Sequence, residues 1–152
     1  MNAAGEVCID ASLAIKVVVA EPDSDKPDAL FAHFADQGAR LVAPVFFAVE
    51  TDSILRQKVV VRKELTPEQA ESSFARLVAL PIQLISVAAQ RQRAWELSSK
   101  FKLATVYDAT YLALAELMGC EFWTADHRLF AAVRDSLPFV RSLDEFIPTT
   151  TL

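Results

Sequence analysis

The sequence predicts an α/β fold of three layers, a central parallel sheet flanked on both faces by helices. Short runs of strand length, largely apolar, alternate along the chain with longer stretches of helical periodicity. Apolar strands of this kind belong to sheets covered on both faces, and intervening helices are how parallel strands are joined. The 152 residues, 53% of them hydrophobic, provide one domain's core, and no repeat or Gly/Ser-rich linker divides them. Residues 1–152 are therefore read as a single domain.

The elements follow in order. Residues 6–10 form an apolar strand ending in Asp10, and Ser12 opens a helix to about Ala20. The segment 21–25, with Pro22 and three acids, stops that helix and starts another, in which Leu30, Phe31 and Phe34 have helical spacing and Gly38 ends the run. A strand is expected at 40–43. Pro44 suits the first turn of the next helix, which runs to about Lys63. Thr66, Pro67 and Gln69 form a capping-box start for another helix. A strand at 80–85 precedes helices at 88–102 and 107–118, the second closed by Gly119. A strand at 121–125, a short helix at 129–133 and a last strand at 139–142 complete the chain.

Composition removes several chemistries. Three glycines, Gly5, Gly38 and Gly119, cannot supply a GxxxxGK phosphate loop, a GxGxxG dinucleotide turn or a GxSxG elbow. Two cysteines without a CxxC and two histidines, His33 and His127, are too few for a structural zinc site. The cysteines fit buried fillers in a reducing compartment. No apolar run spans a bilayer, because residues 7–20 are broken by Asp10 and Lys16, and residues 1–6 carry no basic leader. A cytoplasmic protein is expected. Carboxylates are plentiful: 20 acidic against 15 basic residues give net charge −5, at a mean hydropathy of +0.26. Oxygen donors favour a hard cation, magnesium or manganese.

Four acids can be brought together. Asp10 and Asp126 end strands, so both face the crevice beyond the carboxyl edge of a parallel sheet. Each alone could be a helix cap, and Asp108 alone could be an acid favoured by a helix dipole. Glu50 differs. Phe46 and Ile54 lie one turn either side of it and Phe47 and Ser53 on flanking rows, which turns the carboxylate toward the sheet. A buried charge needs a partner: a cation, a proton or a neighbour such as Arg56. Converging carboxylates with cations between them are the equipment of two-metal phosphoryl transfer.

The motifs around these acids resemble a known family. Val7, Ile9, Asp10 and Ser12; Pro44 to Glu50 with Ile54, Leu55 and Arg56; Tyr107, Asp108, Tyr111 and the apolar run to Ala115; and Trp123, Thr124, Asp126 and Leu129 together are similar to the PIN-domain ribonucleases. Within these they most resemble VapC-type toxins of toxin–antitoxin pairs, in order over residues 7–140. By that resemblance Asp10, Glu50, Asp108 and Asp126 match an acidic quartet, both catalytic and metal-ligating, that binds Mg2+ or Mn2+. Ser12 and Thr124 match supporting hydroxyls. Ser53 stands where many members carry Asn. The resemblance implies an endoribonuclease that hydrolyses RNA phosphodiester bonds with a metal-activated water, leaving 3′-hydroxyl and 5′-phosphate ends. It also implies a homodimer and inhibition by a small antitoxin protein.

Net charge −5 is unusual for an RNA enzyme, but basic residues cluster at Arg56, Lys58, Arg62 and Lys63 and at Arg91, Arg93, Lys100 and Lys102. Phe46, Phe47, Trp95, Tyr111 and Trp123 are expected in the core. Two other readings compete. A phosphoacceptor signalling domain needs an acidic pair near the first strand and a lysine after the last, and both are missing. A PIN-like module that binds RNA or protein without catalysis would not need four buried acids.

Overall fold

The computed structural model describes residues 5–22 and 25–149. The expected leaderless N-terminus at 1–4, and Asp23 and Ser24 of the expected turn at 21–25, lie outside the described residues.

Among the described residues, five parallel strands form one sheet in the order β3-β2-β1-β4-β5. They are β1 (Glu6–Ile9), β2 (Arg40–Pro44), β3 (Ile82–Ile85), β4 (Glu121–Thr124) and β5 (Val140–Ser142). Between them run α1 (Ala11–Val18), α2 (Asp25–Asp36), α3 (Phe46–Val60), α4 (Pro67–Ala79), α5 (Gln90–Lys100), α6 (Tyr107–Met118) and α7 (His127–Val133). Central β1 pairs with β2 through Cys8 and Val42 and with β4 through Cys8 and Phe122.

Strand alternation produces the layers. On β4, Phe122 meets the Tyr111 ring of α6 at 5.9 Å, while the next residue, Trp123, meets Phe34 of α2 at 5.8 Å. The two rings leave opposite faces of one strand, so the sheet is covered on both, as expected. Helix α6 packs on β1, β2 and β4 and against α5, and α1 packs against α2, α3 and α4. Tyr111, Phe122, Ile9, Leu13, Leu112 and Leu114 are among the largest fully buried side chains.

Helix ends follow local chemistry. Thr66 Oγ1 accepts from the Gln69 N–H at 3.1 Å and Gln69 Oε1 accepts from the Thr66 N–H at 2.9 Å, the reciprocal box expected there. Gly119 adopts φ +67 after α6, a left-handed cap. Pro44 departs from expectation. It ends β2 opposite Ile85 and does not open α3. The paired register with β1 stops at Val42, so a residue without an N–H is tolerated there. A 3-10 turn at Leu143–Glu145, capped by Ser142, was not foreseen.

Two further expectations are corrected. Trp95 is 66% exposed and lies outside the core. Lys58 is buried, bonded to Glu64 at 2.8 Å, and Arg93 is held by Glu116 at 2.9 Å and Glu96 at 3.1 Å. Both cations are spent inside the fold. Among the described residues, no helix is long and apolar enough to cross a membrane.

Candidate active site

Chain direction reverses across the sheet between β1 and β4: from β1 the chain continues to β2 and β3, and from β4 to β5. Ligand crevices of parallel α/β sheets form at such a switch point, beyond the carboxyl ends of the strands. Asp10 follows β1 directly, and its N–H bonds the Trp123 carbonyl at 3.0 Å, extending the ladder. Asp126 follows β4 by two residues. The two strands therefore deliver two acids to one cleft.

Asp10 occupies the N-cap position of α1 but makes no side-chain cap hydrogen bond. Its Oδ2 instead accepts from Ser12 Oγ and from Thr124 Oγ1, each at 2.7 Å. Both hydroxyls have fixed orientation, because Ser12 Oγ accepts the Ala125 N–H at 3.1 Å and Thr124 Oγ1 the Asp126 N–H at 2.9 Å. Two hydroxyls thus bind the end of β1 to the end of β4 and aim a buried carboxylate. Asp126 serves a second purpose. Its Oδ1 caps α7 through the N–H groups of Arg128 (3.0 Å) and Leu129 (3.1 Å), as expected for an acid at that place.

The other two acids arrive on helices. Asp108 lies in the first turn of α6. Glu50 sits on α3, whose first turns lean against α6: the Phe46 ring stacks on Tyr107 at 4.9 Å, and one turn further the Tyr111 hydroxyl donates to Glu50 Oε1 at 2.7 Å. The inward row of α3 runs through Phe47, Thr51, Leu55 and Lys58, one row over from Glu50. Glu50 is therefore half-buried at the helix edge, Ser53 is exposed, and the partner is Tyr111, not Arg56. Tyr111, which sequence reasoning assigned only to the core, is thus bonded to one of the four acids. Its signal was a tyrosine at the head of an apolar run, three residues after Asp108.

Electrostatics tie the four together. Burial raises the Asp10 carboxyl to about 7 against two hydroxyl hydrogen bonds, and the charges of Asp108 and Glu50 add to the rise. Asp108 is raised to about 6 by burial, then by Asp126 and Glu50. Glu50 is raised by burial, and the Tyr111 hydrogen bond opposes this. The Tyr111 phenol is itself pushed far up by burial and by Glu50. No Lys, Arg or His forms an ion pair with any of the four among the described residues; His127, next to Asp126, pairs outward with Asp144 at 3.0 Å.

Among the described residues, no three acidic, Cys or His side chains stand close enough to enclose one ion by themselves. The donor set nevertheless fits a hard cation. It is all carboxylate, with Asp10, Glu50 and Asp108 withdrawn from water by burial and no basic partner among the described residues, and magnesium commonly takes one or two carboxylates while keeping several waters. Asp10, Glu50, Asp108 and Asp126 are the residues that would hold it.

Comparison with known proteins agrees with this architecture. The family model described as PIN domain matches residues 7–135. Ribonuclease VapC12 of Mycobacterium tuberculosis, from strain CDC 1551 / Oshkosh and from strain ATCC 25618 / H37Rv, is 31% identical over 123 residues, covering 81% of this chain and 88% of the relative. With its acids at the switch point of a parallel sheet and this similarity along most of its length, the chain belongs to the PIN-domain family, in its VapC-type branch.

Proposed function

We propose that the protein is a divalent-metal-dependent endoribonuclease, the toxin of a toxin–antitoxin pair. The observation that carries this reading is the set of a buried Asp10 with the partly buried Glu50, Asp108 and Asp126, whose charges act on one another without a cationic partner among the described residues. Similarity to a ribonuclease of the same family supports RNA as the substrate. Mg2+ or Mn2+ held there would supply water activation and neutralisation of charge on the phosphate. The chain's own part is to hold the carboxylates. Ser12 and Thr124 fix Asp10, the α7 N-terminus fixes Asp126, and burial keeps bulk water from Asp10.

The RNA backbone would meet the cations left exposed: Arg56, Arg62, Lys63, Arg91, Lys100 and Lys102. Two protein partners belong to the same reading. A small antitoxin would satisfy the acids with an Arg guanidinium and lay an apolar segment beside Phe46, since Phe47 is buried and offers no surface. A second copy would cover the apolar patch of Val45, Val49, Val106, Tyr107 and Trp95, all at least 40% exposed. The free thiols Cys8 and Cys120 suit a reducing cytoplasm.

Purified protein free of antitoxin should cut single-stranded or loop RNA internally with Mg2+ or Mn2+, leaving 5′-phosphate ends, and EDTA should stop it. Cleavage that persists in EDTA, or cyclic phosphate products, would contradict the mechanism. RNA binding without cleavage would favour a binding module.

A further inference from the structure

Three of the four acids have an anchor or a rigid mount. Two hydroxyls hold Asp10, two backbone N–H groups hold Asp126, and Asp108 is a short side chain on the first turn of α6. Glu50 has neither. It has three side-chain torsions, sits half-buried at a helix edge, and among the described residues its one side-chain hydrogen bond comes from Tyr111. The donor is as fixed as a side chain can be. Tyr111 is fully buried, and its ring lies against Phe122 of the sheet. A phenol O–H given to a carboxylate at 2.7 Å is a strong, directional contact. Tyr111 and Asp108 are three residues apart on one helix, so they share a face. One turn of α6 thus carries one acid directly and governs another across the cleft.

We propose that Tyr111 is a positioning residue that holds Glu50 in its metal-ligating orientation. The inference rests on the metal-dependent reading above. Outer partners of metal ligands act in this way, and their loss weakens metal binding about 10–100-fold.

The test is a titration of Mn2+ alone, followed by melting temperature, on wild type, Tyr111→Phe, Glu50→Gln and the double variant. Tyr111→Phe should melt cooperatively in EDTA within a few degrees of wild type and need at least about tenfold more Mn2+ for the same rise. At saturating Mn2+ its RNA cleavage should recover most of the wild-type rate. Adding Tyr111→Phe to Glu50→Gln should cause no further loss, because the tyrosine acts through the glutamate. A wild-type Mn2+ response in Tyr111→Phe would overturn the proposal. So would an equal weakening on both backgrounds, or a failure of Tyr111→Phe to fold, since either marks a packing role. Absence of any Mn2+ response in wild type would sink the metal reading itself, and this proposal with it.

Discussion

Asp10→Asn should abolish RNA cleavage and yet melt higher than wild type in EDTA at pH 8. Asparagine keeps the shape and still offers an oxygen to Ser12 and Thr124, but it removes a buried charge. Raising the Asp10 carboxyl from 3.8 to about 7 corresponds to roughly 4 kcal/mol of unfavourable ionisation at alkaline pH. The amide must itself be desolvated, so a net gain of about 1–3 kcal/mol is expected, or ~3–8 °C in Tm. Cleavage should fall at least ~100-fold, since a ligand of the cation is lost. Thermal melts in EDTA beside an RNA assay check both halves. A variant that melts lower would mean that the hydrogen bonds from Ser12 and Thr124 to the carboxylate outweigh its burial, and would contradict a destabilising charge at Asp10.

Metal-free stability should fall as pH rises from 5 to 8. Asp10 titrates near 7 and Asp108 near 6 in the native protein, each from a reference of 3.8. Between about pH 4 and 7 the native state therefore holds protons that the unfolded chain has released. Stability decreases with pH wherever the native state binds more protons, so the loss accrues across that window and levels off above it. The acids lowered by hydrogen bonds, Glu6 by Arg40, Glu64 by Lys58 and Glu96 by Gln92 and then Arg93, act in the opposite sense, below their ordinary range of about 4.5. They leave the window from 5 to 8 to the site. Urea unfolding in EDTA should lose about 2–4 kcal/mol between pH 5 and 8, most of it absent in Asp10→Asn. Added Mg2+ should flatten the slope by stabilising the ionised site. A flat or rising profile in EDTA would contradict the picture of four converging acids.

How much of this was legible in the sequence depended on whether a residue's local chemistry or its distant neighbours decided its place. Helix α6 begins at Tyr107 and ends at Met118 as expected, because Gly119 alone can take the left-handed cap cheaply. The Thr66 box is likewise local, and both of its hydrogen bonds form. Pro44 was ambiguous, since a fixed φ suits a first helical turn and a strand end equally, and the extent of the β1 ladder decided between them. Trp95 and Lys58 exchanged roles. The indole lies on the open side of α5, and the Lys58 ammonium is buried and paired with Glu64, for reasons of tertiary packing that no spacing rule contains.

The site divides in the same way. Strand ends announced Asp10 and Asp126, helix rows singled out Glu50, Asp108 was read as an acid at a helix start, and the resemblance to the family made the four a quartet. That Asp126 caps α7 whereas Asp10 caps nothing could not be read from two similar Asp-x-x starts. The difference arises because Thr124, on the neighbouring strand, turns its hydroxyl to Asp10 across the β1–β4 seam, a contact 114 residues apart in sequence. Tyr111 was hidden for a related reason. Its ring belongs to the core and only its oxygen belongs to the site.

Asp108 is the acid whose ordinary explanation, a carboxylate in the first turn of a helix, is strongest. RNA cleavage by Asp108→Asn in saturating Mg2+ therefore tests the joint action of the four acids most directly. Activity should fall at least ~100-fold in a protein that remains folded, as joint action requires. Cleavage at the wild-type rate would contradict it, and would leave Asp108 as no more than a helix-terminal charge.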